Sequence, residues 1–468
     1  DSSSSSGAVA PVHATPQPAT PTSSSWQSAS MSSGSPTAAA AFPQTTPDVS
    51  APPTPPISSS TPPKRQWNGW YTAVIVLVIV ALLGSSLGAF LVLRNKTNQT
   101  AVSPGGQAFL LSSGQFDPGS AQGIADQLQI QLQNIPDPQA GKSYYAWLLA
   151  DRHPHVEQPA LEPPLQFTLP LMLGKLPVSH GNVSFFYNGD AQHDNLFSIS
   201  SRLLITEEDT NGTPRGPTAD RSTWRYYAEI PQTPYGPNQL SALDHIRHLF
   251  YKETKVGVLG LPGGLDVWLY RNTEKLMEWA ISARDDYHAQ VSDPTVIRNL
   301  FISMLDYLDG APNVHIDVPA GTPIAADPVA SKVALLTVNS SQGKDLANNP
   351  PGYLDHVPLH LNGVIRAPDT TAQMRALATE IIQALNNAGR WLVQTRMLVQ
   401  QLVNMNADQL AQQTTLTMLD SLLSDTTYAY IGKLDPNTNQ VAPGVLQVHY
   451  DIQRLATLNI TPNLPQSI

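Results

Sequence analysis

The chain has 468 residues, 42 of them proline, no cysteine, a net charge of −10 and a charged fraction of only 13%. The absence of cysteine excludes disulfides, thiolate metal sites, thioether haem attachment and cysteine nucleophiles. The acidic balance argues against a nucleic-acid binder, which needs a clustered basic surface.

Residues 1–66 open the chain with a low-complexity composition. Of the first 63 residues, 48 are Ser, Thr, Pro or Ala, and the acids are Asp1 and Asp48. Such a segment has too little apolar surface to offset its ordering entropy, so a disordered tail is expected. Residues 67–96 follow as an expected single transmembrane helix with its flanks. Trp70 to Leu93 carries no charge, and as a helix these residues would span about 36 Å, enough for a hydrocarbon core of about 30 Å. Trp67, Trp70 and Tyr71 stand where an interfacial aromatic belt belongs. Gly84 and Gly88 form a small-xxx-small motif that offers a self-association surface. The expected location is the cell membrane, single-pass, with the downstream parts outside the cytoplasm.

From 105 to 232 the pattern is that of strands. Leu128-Gln-Ile130-Gln-Leu132 alternates strictly, and Ser143 to Leu149, Val183 to Tyr187, Leu196 to Thr206 and Trp224 to Ile230 are further strand candidates between Gly/Pro/Asn turns. An all-β, sandwich-like domain is expected. From 237 to 468 the period becomes helical, with segments near 239–252, 264–288, 294–309, 370–388, 390–405 and 407–424. The Pro-rich stretch 311–368 reads as extended or looped. The expected fold class is thus a multi-domain membrane-anchored chain: disordered tail, transmembrane helix, all-β domain, then a mainly α-helical domain.

Ile135-Pro136 followed by Pro138-Gln-Ala-Gly141-Lys-Ser-Tyr144-Tyr-Ala-Trp147-Leu148 resembles the Tyr-x-x-Trp-Leu strand of the anti-sigma-K factor C-terminal family. Leu204-Ile-Thr-Glu-Glu208 with Gly212-Thr-Pro-Arg-Gly-Pro-Thr218 is similar to that family's closing pattern, and Gly189-Asp190 falls at its intervening turn. The resemblance covers about 105–232. It implies a single-pass bacterial protein with an extracytoplasmic β domain that is not an enzyme. Residues 1–63 contain no helical sigma-binding domain to complete the family pattern.

Motifs for chemistry are sparse. Gly141-Lys142-Ser143 has Pro136 where a phosphate loop needs glycine, and Gly257 to Gly264 lacks dinucleotide spacing. Asp244-His245-Ile-Arg-His248 places two imidazoles one turn apart on one helical face, a geometry able to chelate a metal or haem iron. His356 and His360 are four apart with Pro358 between them, which argues against a helix, and His153-Pro-His155 reads as loop. Glu207-Glu208-Asp209 and Arg284-Asp285-Asp286 read as solvated faces, and Trp147, Trp224, Trp268, Trp279 and Trp391 as core aromatics. No catalytic, cofactor-binding or metal residue is assigned, and no cofactor is expected. The expected function is non-enzymatic: display of the β and helical domains for sensing, binding or signal regulation. The alternatives are a metal-dependent or hydrolytic enzyme in the helical part, or the C-terminal piece of a larger cytoplasmic signalling protein, a kinase or anti-sigma factor. The expected partners are the membrane and a protein or second copy, with no nucleic acid.

Overall fold

The computed structural model describes residues 104–467, apart from 114–119, 153–163, 258, 290–293, 325–326, 328 and 346–347. The first half is β: β1 (Gly105–Leu111), β2 (Gln127–Gln133), β3 (Lys142–Ala150), β4 (Leu171–Leu176), β5 (Val178–Ser179), β6 (Asn182–Tyr187), β7 (Ser200–Asp209) and β8 (Trp224–Glu229). Helices then dominate: α1 (Ala242–Phe250), α2 (Thr254–Gly257), α3 (Leu265–His288), α4 (Pro294–Asp309), α5 (Tyr353–Arg366), α6 (Ala372–Val403), α7 (Ala407–Leu410) and α8 (Gln413–Tyr430). A hairpin of β9 (Gly432–Asp435) and β10 (Gln440–Pro443), helix α9 (Val445–Leu455) and strand β11 (Leu458–Ile460) end the fold.

The alternating residues of β2 do what period two requires: Leu128, Ile130 and Leu132 are buried, and the glutamines between them are not. One antiparallel sheet runs β11-β1-β2-β6-β5 and a second runs β4-β3-β7-β8. They are linked at two places. One residue, Pro177, separates β4 from β5, so the chain steps directly from the second sheet to the first. At the other edge Tyr227 and Thr461 exchange two backbone hydrogen bonds of 2.8 and 3.0 Å.

Residues Thr97–Ile468 form one compact unit. One large hydrophobic core runs from Ala108 and Leu128 of the strands through Ile246, Phe301 and Leu392 of the helices to Ile460 of β11, beside a smaller cluster of Tyr145, Trp147, Leu149, Leu204, Trp224 and Tyr227 on β3, β7 and β8. The expected fold class is therefore corrected. An all-β domain followed by a helical one would have two cores, but here the last strand returns from the helical half to pair with β1, register Gly106 to Ile460. The membrane part is corrected as well: among the described residues no helix is long and apolar enough to cross a membrane. Even α6, at 32 residues, carries Arg375, Glu380, Arg390 and Arg396 and buries a stripe rather than its whole surface. The expected span at 67–96, the tail at 1–66 and the Gly84/Gly88 motif lie outside the described residues.

Two local differences matter for the site. The expected break near 389 is absent, and α6 is continuous from 372 to 403. Within the stretch expected to be extended, 353–366 is a helix despite Pro358. Its first turn is held from outside: Tyr353 N–H donates to Ala334 O at 2.9 Å and Leu354 N–H to Leu335 O at 3.2 Å. These are the donors a helix start leaves unsatisfied, so tertiary docking offsets the hydrogen bond that proline removes. Gly352 makes the docking feasible, since a Cβ there would lie 2.4 Å from the carbonyl carbon of Leu336.

Candidate metal centre

Helix α1 begins with a reciprocal cap. Asp244 N–H donates to Ser241 Oγ at 3.2 Å, and Ser241 N–H donates to Asp244 Oδ2 at 2.7 Å. The apolar side of this helix, Leu243, Ile246, Leu249 and Phe250, enters the core. Arg247 anchors it to the strands. Its guanidinium is 5% exposed, grips Asp151 through two hydrogen bonds of 2.8 and 3.0 Å, and donates to Phe197 O at 2.8 Å. That fixes the helix about its axis and sets His245 and His248 towards α5.

Helix α5 answers with His356 and His360, one turn apart on the same side. Their rings stack 5.3 Å apart at 30°. His360 Nδ1 lies 3.2 Å from His245 Nδ1 and 3.3 Å from His248 Nδ1. Glu253, between α1 and α2, completes the cluster. It is 3% exposed, and its Oε2 accepts the Val256 N–H at 2.5 Å. One donor atom each from His245, His248 and His360 lies within 4.8 Å of the others, and the same holds for Glu253, His356 and His360.

The tautomer of His245 follows from its neighbours. Tyr235 has one hydroxyl proton, and it goes to Gly363 O at 2.6 Å. The contact of 3.4 Å between Tyr235 Oη and His245 Nε2 must then be donated by the imidazole. Nε2 carries the proton, and Nδ1 turns a lone pair towards His360. Burial also holds the His245 pKa below its ordinary value, against the opposing charge of Asp244, so the neutral ligand form is favoured. Gly363 allows this approach: a Cβ there would lie 2.3 Å from His245 Nε2.

Two ring nitrogens face one His360 Nδ1, which offers either one proton or one lone pair, so as hydrogen bonds they must share it. Coordination accommodates all three. Nitrogens at about 2.0–2.1 Å from zinc in a tetrahedral arrangement sit about 3.3 Å apart. Imidazole and carboxylate donors without thiolate suit zinc, iron, copper, nickel or manganese.

The structure thus brings His245 and His248 together with His356 and His360, the pair set aside for its proline. Glu253 was not singled out, and no local pattern marks it. The other candidates are occupied structurally. Glu207 receives Arg225 Nε at 2.8 Å and Gln139 N–H at 2.6 Å, and Asp209 pairs with Lys142 at 2.7 Å. Arg284 pairs with Asp420 at 2.5 Å. Trp147, Trp224 and Trp268 are buried with their indole N–H groups bonded to Thr206 Oγ1, Thr218 O and Pro262 O. His153 and His155 lie outside the described residues. No protein-family model matches the chain, and comparison with curated proteins and with solved structures finds no match.

Proposed function

We propose that the protein binds a divalent transition-metal ion between α1 and α5, and that this ion is the ligand of its sensing or binding role. The observation that carries the reading is the convergence of His245 Nδ1 and His248 Nδ1 on His360 Nδ1 at 3.2 and 3.3 Å. Four imidazoles and one carboxylate gathered in a largely buried position form a donor set suited to a divalent transition-metal ion. Because the ligands come from separate segments of the chain, ion binding is coupled to the docking of α5 on α1. The test is elemental analysis of the full chain after zinc loading and desalting. One zinc per chain is expected for the wild type and none for His360→Ala; a wild-type chain that retains no metal refutes the reading.

A further inference from the structure

Resting on the metal-binding reading above, we infer that the centre holds one ion in two alternative positions that share His360. The outer position, formed by His245, His248 and His360, loads the ion. The inner position, formed by Glu253, His356 and His360, retains it.

Each triad has its donor atoms within 4.8 Å of one another, and His360 belongs to both. A ring nitrogen coordinates one ion at a time, so a shared histidine makes the positions exclusive unless the ring bridges as an imidazolate. Charge decides against simultaneous occupancy. Two divalent ions would place four positive charges in a buried site against the single carboxylate of Glu253, and uncompensated buried charge is strongly unfavourable.

The two positions differ in chemistry and in access. The outer triad is three neutral imidazoles, whereas the inner one is a two-histidine, one-carboxylate set. That set suits zinc, iron(II) or manganese(II) and partly neutralises the ion. His245 is the half-buried member of the cluster, while Glu253 and His356 are each 3% exposed. An ion arriving from solvent therefore meets the outer nitrogens first and gains the carboxylate by moving inward. The inner ligands are also held firmly. Glu253 is fixed by the Val256 N–H, and His356 and His360 sit on successive turns of one helix.

The test uses the full chain and two probes, Zn2+ in competition with a chromophoric chelator and Co2+ by visible absorption. Glu253→Gln keeps an oxygen to accept the Val256 N–H while removing the charge. It is expected to bind one ion at least tenfold more weakly, with an altered Co2+ spectrum. His245→Ala is expected to hold Zn2+ within about threefold of wild type but to load it at least tenfold more slowly. Should Glu253→Gln fail to fold, His356→Gln reports on the same inner position. Wild-type affinity and spectrum in the inner-position variant would overturn the inference while leaving metal binding by the outer histidines intact. Two ions per wild-type chain would overturn the exclusive sharing of His360. Binding that survives His360→Ala would remove the metal-binding reading itself.

Discussion

At the scale of single residues, the site depends on groups that never touch the ion. The Tyr235 hydroxyl directs the His245 proton to Nε2 by passing its own proton to Gly363 O. Outer partners of this kind fix the tautomer and orientation of the ligand they bond. Tyr235→Phe should therefore slow zinc loading severalfold while leaving the affinity within about threefold of wild type and the melting temperature of the metal-free chain nearly unchanged, as the time course of transfer from a chelator and a thermal scan would show. Gly363→Ala acts on the same ring by sterics. Its Cβ would meet His245 Nε2 at 2.3 Å, so the imidazole must turn away from His360. This residue-level detail was only half legible in the sequence. The spacing of His245 and His248 is a local pattern, and so is the spacing of His356 and His360. That they face each other is a matter of tertiary packing, and Pro358 argued against the helix that makes it so. The force that overrides the proline is a set of backbone bonds from Tyr353 and Leu354 to residues almost 20 positions earlier in the chain, which no local rule reads.

At the scale of elements, α1 is the hinge between the two halves of the structure, and its orientation rests on a buried ion pair. Removing one partner of such a pair destabilises by about 3–5 kcal/mol, because the remaining charge stays buried. Asp151→Ala should show a loss of this size in urea unfolding and should also loosen zinc binding through the displaced histidines. Helix α4 carries a different electrostatic feature in its last turn. Asp309 is fully buried, and burial pushes its carboxyl up to about 8, helped by the neighbouring Asp317 carboxyl and opposed by Arg396. The Arg396 guanidinium, 2.6 Å away, does not win because Asp317 claims it as well. The negative end of the helix dipole adds to the penalty on charge here. Asp306, three residues earlier, is raised to about 6 for the same leading reason, burial. A carboxyl with a raised folded-state pKa binds more protons when folded than when unfolded. Its contribution is then fully present below the unfolded value near 3.8 and is lost as pH rises through about 8. The melting temperature of the wild type should accordingly fall between about pH 4 and pH 8 and level off above, and Asp309→Asn should flatten that fall. An unchanged slope in the variant would place the pH dependence elsewhere.

At the scale of the whole molecule, the strand and helix periods were legible but their integration was not. The change of period near residue 231 suggests two folds, yet a three-residue strand at the far end of the chain, Leu458–Ile460, pairs with β1 and continues into a bridge with Tyr227. Three residues carry too little periodicity to announce themselves. Their importance is energetic rather than statistical. Ile460 is 2% exposed at the junction, and Ile460→Ala should cost about 2–5 kcal/mol, with strands and helices melting together in one transition by circular dichroism. The same integration means that the histidine centre lies within one folded unit, so an ion that binds the folded state stabilises all of it. The most direct measurement is the thermal unfolding of the full chain as a function of zinc concentration, beside His360→Ala. Free zinc at 100 times its dissociation constant adds about 2.7 kcal/mol to the folded state. The wild-type melting temperature should climb steadily with zinc while that of His360→Ala stays flat; superimposable wild-type melts with and without zinc would contradict a metal centre between α1 and α5.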